Sequence, residues 1–217
     1  MKTSTELKRD VIAELNWDPS LPSDCIGVEV KDGVVTLSGH VSSFVEKWNA
    51  ERAARRVIGV ESMAVEIDVD LPGSSKRDDA DIARTAANVL SWASYIPQDS
   101  IKVTVEGGWI TLTGSVEWEY QRNAAAEAVR RLMGVTGVSN DLTLAPSIAA
   151  QVVQSDIEAA LKRLAKIESA NITVHVDGGT VTLSGNTHSW VERDLATQAA
   201  WSAPGVKHVK DKIRITM

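Results

Sequence analysis

The chain has 217 residues, 43% of them hydrophobic and 24% charged, with a formal net charge of −6, a balance ordinary for a soluble globular protein. No apolar run approaches the roughly 20 residues of a spanning helix, and the acidic balance argues against a general nucleic-acid binder. Cys25 is the only cysteine, which excludes an intramolecular disulfide and a cysteine-based zinc site; beside a predicted strand it reads as a small semi-buried residue, not a nucleophile.

The opening segment MKTSTELKRDVIAEL carries charges throughout and lacks the apolar core of a secretory signal. A cytosolic protein is expected if Met1 is the native start, and a periplasmic one if an export signal has been removed. Leu7, Val11, Ile12 and Leu15 stripe this segment as an amphipathic helix. Ile26, Val28 and Val30 then alternate as a strand with one buried face, and Asp32-Gly33 is a dipeptide suited to a tight hairpin turn. Val35 and Leu37 alternate again on the return strand, which closes at Gly39. Beyond it the period changes: Ala50, Ala53, Ala54 and Val57 describe a second helix packed closely on a sheet. Gly59 is placed to stop that helix, and Val60, Met63, Ile67 and Val69 mark a last strand.

The same order is then written twice more. With Gly39, Gly114 and Gly185 as anchors, the three segments align without a gap through the hairpin, the second helix and the last strand. Ile82, Ala86, Val89 and Leu90 stripe the first helix of the second copy, and Ile157, Ala160, Leu161 and Leu164 that of the third. Gly107-Gly108 and Gly178-Gly179 take the turn; Ala125, Ala128, Val129 and Leu132, then Ala196, Ala199, Ala200 and Ala203, repeat the second-helix face. The expected fold is α+β: three tandem α-β-β-α-β domains over residues 1–71, 76–145 and 148–217, each with two helices packed on a three-stranded mixed sheet. LPGSSKRDD (71–79) and APSIAAQ (145–151) read as linkers.

The segments IGVEVKDGVVTLSG…VIGV, IKVTVEGGWITLTG…LMGV and ITVHVDGGTVTLSG…APGV resemble the BON domain of bacterial proteins over nearly the whole chain. The resemblance implies a non-enzymatic protein of the kind associated with osmotic stress, envelope maintenance and phospholipid binding. Some such proteins are linked to secretin pores or potassium sensing. Three copies here depart from the two of the familiar exported members.

The residues themselves point to no catalysis. No phosphate-binding glycine loop follows a strand, so Gly39, Gly114 and Gly185 read as strand ends where a side chain would clash or a positive φ is needed. Ser38, Thr113 and Ser184 precede them without a base and an orienting acid in every copy. His175, His188 and His208 all lie in the third copy, none of them four apart on a helix. No cofactor and no metal is expected; an enzyme would need those histidines to assemble around a metal in three dimensions.

Seven tryptophans beside one phenylalanine and two tyrosines are the unusual feature, and the repeats supply an exposure test. Trp48 corresponds to Asn123 and Asp194, and Trp201 to Arg55 and Arg130, so both are expected to face solvent or a neighbouring repeat. Trp17 and Trp92 occupy equivalent positions at the end of the first helix, with Tyr95 close by, and Trp109 sits at a hairpin tip. Tryptophan suits membrane and protein interfaces alike. Packing between repeats would bury some of these rings. Arg55, Arg56, Arg130 and Arg131 complement the helix dipole and are candidates to hold lipid phosphates. The expected partner is an anionic phospholipid surface or a membrane-associated protein, contacted through Trp17, Trp92, Tyr95, Trp109 and Trp201. A soluble stress-related scaffold or a potassium-like ion sensor, with tryptophans cementing the repeats, is the alternative. Charge falls unevenly: residues 1–71 carry 8 basic and 13 acidic side chains, residues 147–217 carry 8 and 7, so a polyanion would prefer the C-terminal third.

Overall fold

A computed structural model describes residues 2–31, 33–97, 99–145, 154–163 and 172–216. Asp32, Leu164 and most of the linker 145–151 lie outside these residues. The first repeat runs α1 (Ser4–Trp17), β1 (Ile26–Lys31), β2 (Val34–Val41), α2 (Phe44–Arg55) and β3 (Ser62–Val69). The second runs α3 (Asp79–Trp92), β4 (Ile101–Glu106), β5 (Trp109–Val116), α4 (Glu119–Arg130) and β6 (Gly137–Leu144). The third runs α5 (Gln154–Arg163), β7 (Ile172–Asp177), β8 (Thr180–Thr187), α6 (Trp190–Trp201) and β9 (His208–Ile215). Each repeat forms its own three-stranded sheet with the hairpin's return strand at the centre. β4 and β5 pair antiparallel with Val103 opposite Leu112, and β5 and β6 pair parallel with Ile110 opposite Val138. β7, β8 and β9 repeat that mixed pattern. The parallel pair needs a crossover, and the second helix supplies it.

Alternation puts one set of side chains inward. Ile110 and Leu112, like Val181 and Leu183, are fully buried, and the helices cover them with Ala125 and Val129 or Ala196 and Ala200. Alanine at these places lets the helix lie close to the strand. Burying each Leu, Ile or Val contributes roughly 1.5–3 kcal/mol. On the first helices Leu7, Val11 and Leu15 are buried, as are Ile82, Ala86 and Leu90. Ile12, expected on the same stripe, is 37% exposed: positions four apart face the sheet, and Ile12 falls to one side. The second helices also end four residues before Gly59, Gly134 and Gly205. An added turn intervenes, closed by bonds such as Val57 N–H to the Ala54 carbonyl, 3.2 Å, so these glycines, all at positive φ, close the turn and not the helix.

The chain folds into two compact units that do not coincide with the repeats. One holds Met1–Gly39, Asn49–Ile67 and Ile148–Met217; the other holds His40–Trp48 and Asp68–Ser147. In the first, the Arg55 guanidinium of α2 lies 4.8 Å from the Trp190 ring centroid of α6. In the second, Phe44 of α2 packs against the core of the second repeat, and Arg130 of α4 lies 4.0 Å from the Trp48 ring centroid. Both distances are within cation–π range.

Gly114 shows why the anchor is glycine. Its φ is 127°, and a Cβ built there would stand 2.1 Å from the Ser100 carbonyl oxygen. Gly39 repeats this with φ 129° and the Cys25 carbonyl, also 2.1 Å. The hairpin's two strands touch backbone to backbone at this point. Gly114→Ala is expected to lower the unfolding free energy by about 3 kcal/mol through strain and overpacking, measured by urea denaturation.

Candidate functional site

The structure sorts the sequence candidates into three groups. The first is the free ends of the opening helices. Trp17 closes α1 at 84% exposed and Trp92 closes α3 at 89%; the equivalent residue of the third repeat is Arg163. In the second repeat this end is built further. The Gln121 side chain on α4 accepts from the Glu117 and Trp118 backbone N–H groups, both at 3.0 Å, and donates to the Tyr95 carbonyl at 2.8 Å. That clamp holds the loop after α3 against the start of α4. It ties the Tyr95 backbone to that of Trp118 through one side chain, and Tyr95, Trp118 and Tyr120 are all exposed. Glu46 and Glu192 occupy the matching position and cap their helices by accepting from Ser42 and His188 N–H. Only the amide of Gln121 can both accept and donate. Trp118 and Tyr120 escape a search by family motif. The repeats do flag Trp118, which stands where the other copies have Ser43 and Ser189.

The second group is engaged within the protein. Arg55 pairs with Glu51 at 2.6 Å, Arg56 with Glu14 at 2.8 Å, Arg131 with Glu127 at 2.6 Å, and Arg130 also pairs with Glu127. Three of these are the three- or four-residue pairings that a helix face favours. Trp48 stacks beneath Arg130, and Trp201 packs against the core of the third repeat.

Trp109 makes a third case. It faces the side of the sheet opposite the helices and lies across β6, so close that a Cβ on Gly137 would meet the ring at 2.2 Å. Its indole N–H donates to Ser139 Oγ at 2.9 Å, which leaves the ring 48% exposed. The turn beside it is occupied too. Gly107 and Gly108, at φ 58° and 79°, turn their N–H groups onto the Asp79 carboxylate, each at 2.9 Å. This pair floors a cleft of about 710 Å³ that Lys76, Arg77 and Gly134 also line.

Among the described residues, no three His, Cys, Asp or Glu side chains converge as a metal site, and no helix is long and apolar enough to cross a membrane. Glu119, on the first turn of α4, is 8% exposed. Burial pushes its carboxyl above the ordinary range, against the pull of Arg122 and Asn123.

The hairpin with its closing glycine and the alanine-faced second helix recur in all three repeats, and the parallel third strand in the second and third. Residues 3–70, 78–146 and 150–217 each match the BON domain. The chain belongs to the BON-domain family. A relative, osmotically-inducible protein Y of Escherichia coli (strain K12), is 32% identical over 128 residues, covering 57% of this chain and 63% of that protein. The chain thus spans less than two thirds of that curated relative's length. Among solved structures, CdsD, a structural protein of the type III secretion system of Chlamydia trachomatis, is 17% identical with a TM-score of 0.25, over 96% of this chain and 91% of that one. The periplasmic domain of PrgH, a type III secretion inner-membrane protein of S. typhimurium, is 15% identical with a TM-score of 0.24, over 88% and 95%.

Glu119 of the second BON domain yields a test. Its raised folded pKa means that the fold binds the proton more readily than the unfolded chain does, so stability falls as pH rises through that window. Glu119→Gln is expected to gain stability relative to the parent as pH rises from the ordinary glutamate range towards neutrality, while the two converge at acid pH. Urea denaturation across that range measures it.

Proposed function

We propose that this protein is a non-enzymatic binding protein of osmotic stress that engages phospholipid surfaces through the exposed aromatic ends of its first two BON domains. The observation that carries the reading is the pair Trp17 and Trp92. Two equivalent rings stand 84% and 89% exposed, although each indole would gain by leaving water. Tyr95, Trp118 and Tyr120 extend the second end, and rings with an apolar body and a polar tip suit the headgroup layer. The osmotic setting follows from the likeness to osmotically-inducible protein Y. Two ends on one chain add avidity where both reach the same surface. The paired arginines leave the aromatic rings as the main source of affinity. Binding should accordingly depend only modestly on salt.

Flotation with vesicles of phosphatidylethanolamine and phosphatidylglycerol tests this. The parent is expected to float and its tryptophan emission to shift to the blue. The variant Trp17→Ala/Trp92→Ala should lose roughly tenfold or more in affinity, as for two interfacial rings, with its melting temperature unchanged. A parent that stays wholly in the dense fraction, with unshifted emission, would refute the reading.

A further inference from the structure

The third BON domain turns an unusual row outward. On β9, Ile213 is buried and its neighbours alternate away from it, so His208, Lys210, Lys212 and Arg214 all stand exposed on the face opposite the helices. Their cross-strand partners on β8 are Thr180, Thr182, Ser184 and Asn186. Among the described residues, none of the four β9 side chains makes an ion pair or hydrogen bond, whereas Arg55, Arg56, Arg130, Arg131 and Arg193 are all paired.

The fold does not require this row. Equivalent positions on β6 are Gly137, Ser139, Asp141 and Thr143, and on β3 they are Ser62, Ala64, Glu66 and Asp68. Charge on an edge strand guards against unwanted pairing, but the other two domains show that acids and hydroxyls suffice for that. The third domain alone concentrates positive charge, on a chain whose net charge is −6.

We propose that this face, along β9, docks an extended acidic segment of a partner polypeptide. Alternate residues on a strand are about 6.7 Å apart, so the row offers its four groups over roughly 20 Å. An extended peptide with carboxylates at every second residue has the same step. The hydroxyls of Thr180, Thr182 and Ser184 lie one strand over and supply further donors. The rings on this face are the imidazoles of His175 and His208; it has no tryptophan, tyrosine or phenylalanine to enter a bilayer. Recognition runs through side chains: the Ile213 N–H at mid-strand is taken by Asp211 Oδ1 at 2.9 Å, which removes a donor that an added strand would need. The acidic remainder of the chain repels such a segment and leaves this face as its docking place.

The probe is a fluorescent ten-residue peptide alternating glutamate with threonine, compared with a peptide of the same composition whose glutamates form one block. Anisotropy is read with the full chain at low and moderate salt. The alternating peptide is expected to bind about fivefold or more tighter than the block, a register effect beyond bulk charge. Lys210→Glu/Lys212→Glu should abolish binding, and Lys210→Gln/Lys212→Gln should weaken it about tenfold. Lys76→Glu/Lys102→Glu, which changes net charge equally, should leave binding intact. The proposal is overturned by equal affinity for both peptides, or by equal loss in the Lys76/Lys102 control. It is equally overturned if inorganic polyphosphate or the phosphatidylglycerol vesicles displace the peptide without regard to Lys210 and Lys212, or if those lysines serve only self-association of the chain. Vesicle flotation reads Trp17 and Trp92 separately, so the two proposals stand or fall independently.

Discussion

The close contact of an alanine-faced helix with a three-stranded sheet is the constraint on which the rest depends. A parallel third strand can be reached only by a crossover, and the crossover helix must lie directly on the hairpin. Ala125 and Ala196, both fully buried, permit that approach; a larger side chain would hold the helix off the sheet and open voids around Leu112 or Leu183. Because both helices of a domain serve the same face, the opposite face has no cover of its own. The outward residues of each sheet are thereby released from packing and are free to differ. They do differ: an indole laid over Gly137 and Ser139 in one domain, a basic row in another, and glutamate and aspartate on β3.

The same economy governs the ends. A helix that stops against a sheet must satisfy its terminal groups, and the residue seven places after the closing glycine does so in every copy: Glu46, Gln121 and Glu192 each accept backbone N–H groups at the start of the second helix. Changing one of them from carboxylate to amide costs the cap little and adds a donor. In the second domain that donor reaches the Tyr95 carbonyl and ties the loop after α3 to the start of α4. One atom's difference in a capping residue thus separates a plain helix end from a candidate contact surface.

These effects are unequally legible in the sequence. Alternation from Ile26 to Leu37, and its two repetitions, determines strands, turn and closing glycine, because burial of one sheet face acts residue by residue and leaves a period-two trace. Comparing copies also points to Trp17 and Trp92, since no core repeats a ring at a helix end in two copies and Arg163 in the third. The arginines are harder. Glu51 to Arg55 and Glu127 to Arg131 are spaced as helical ion pairs, but the stacking of Arg55 on Trp190 and of Arg130 on Trp48 depends on which repeat meets which, and periodicity within a repeat carries nothing about that. Trp109 likewise reads as a free tip from its place in the hairpin. Its resting place on Gly137 is set by a parallel register between strands 28 residues apart, and only the paired sheet reveals it.

The three outer faces show how a repeat protein can diversify without loss to its folding. Interior positions are held by volume and by the backbone contact at the closing glycine, so the copies stay alike there. Outward positions on the third strand contribute little to burial, and a charge placed there is stabilised by water and screened by salt. Substitution from Glu66 or Asp141 to Lys212 at the same site therefore changes what the surface attracts while leaving the core untouched. The formal charge of the whole chain conceals this, because a net value of −6 sums faces of opposite sign. The order of charges along each third strand, read with its parity, separates those faces.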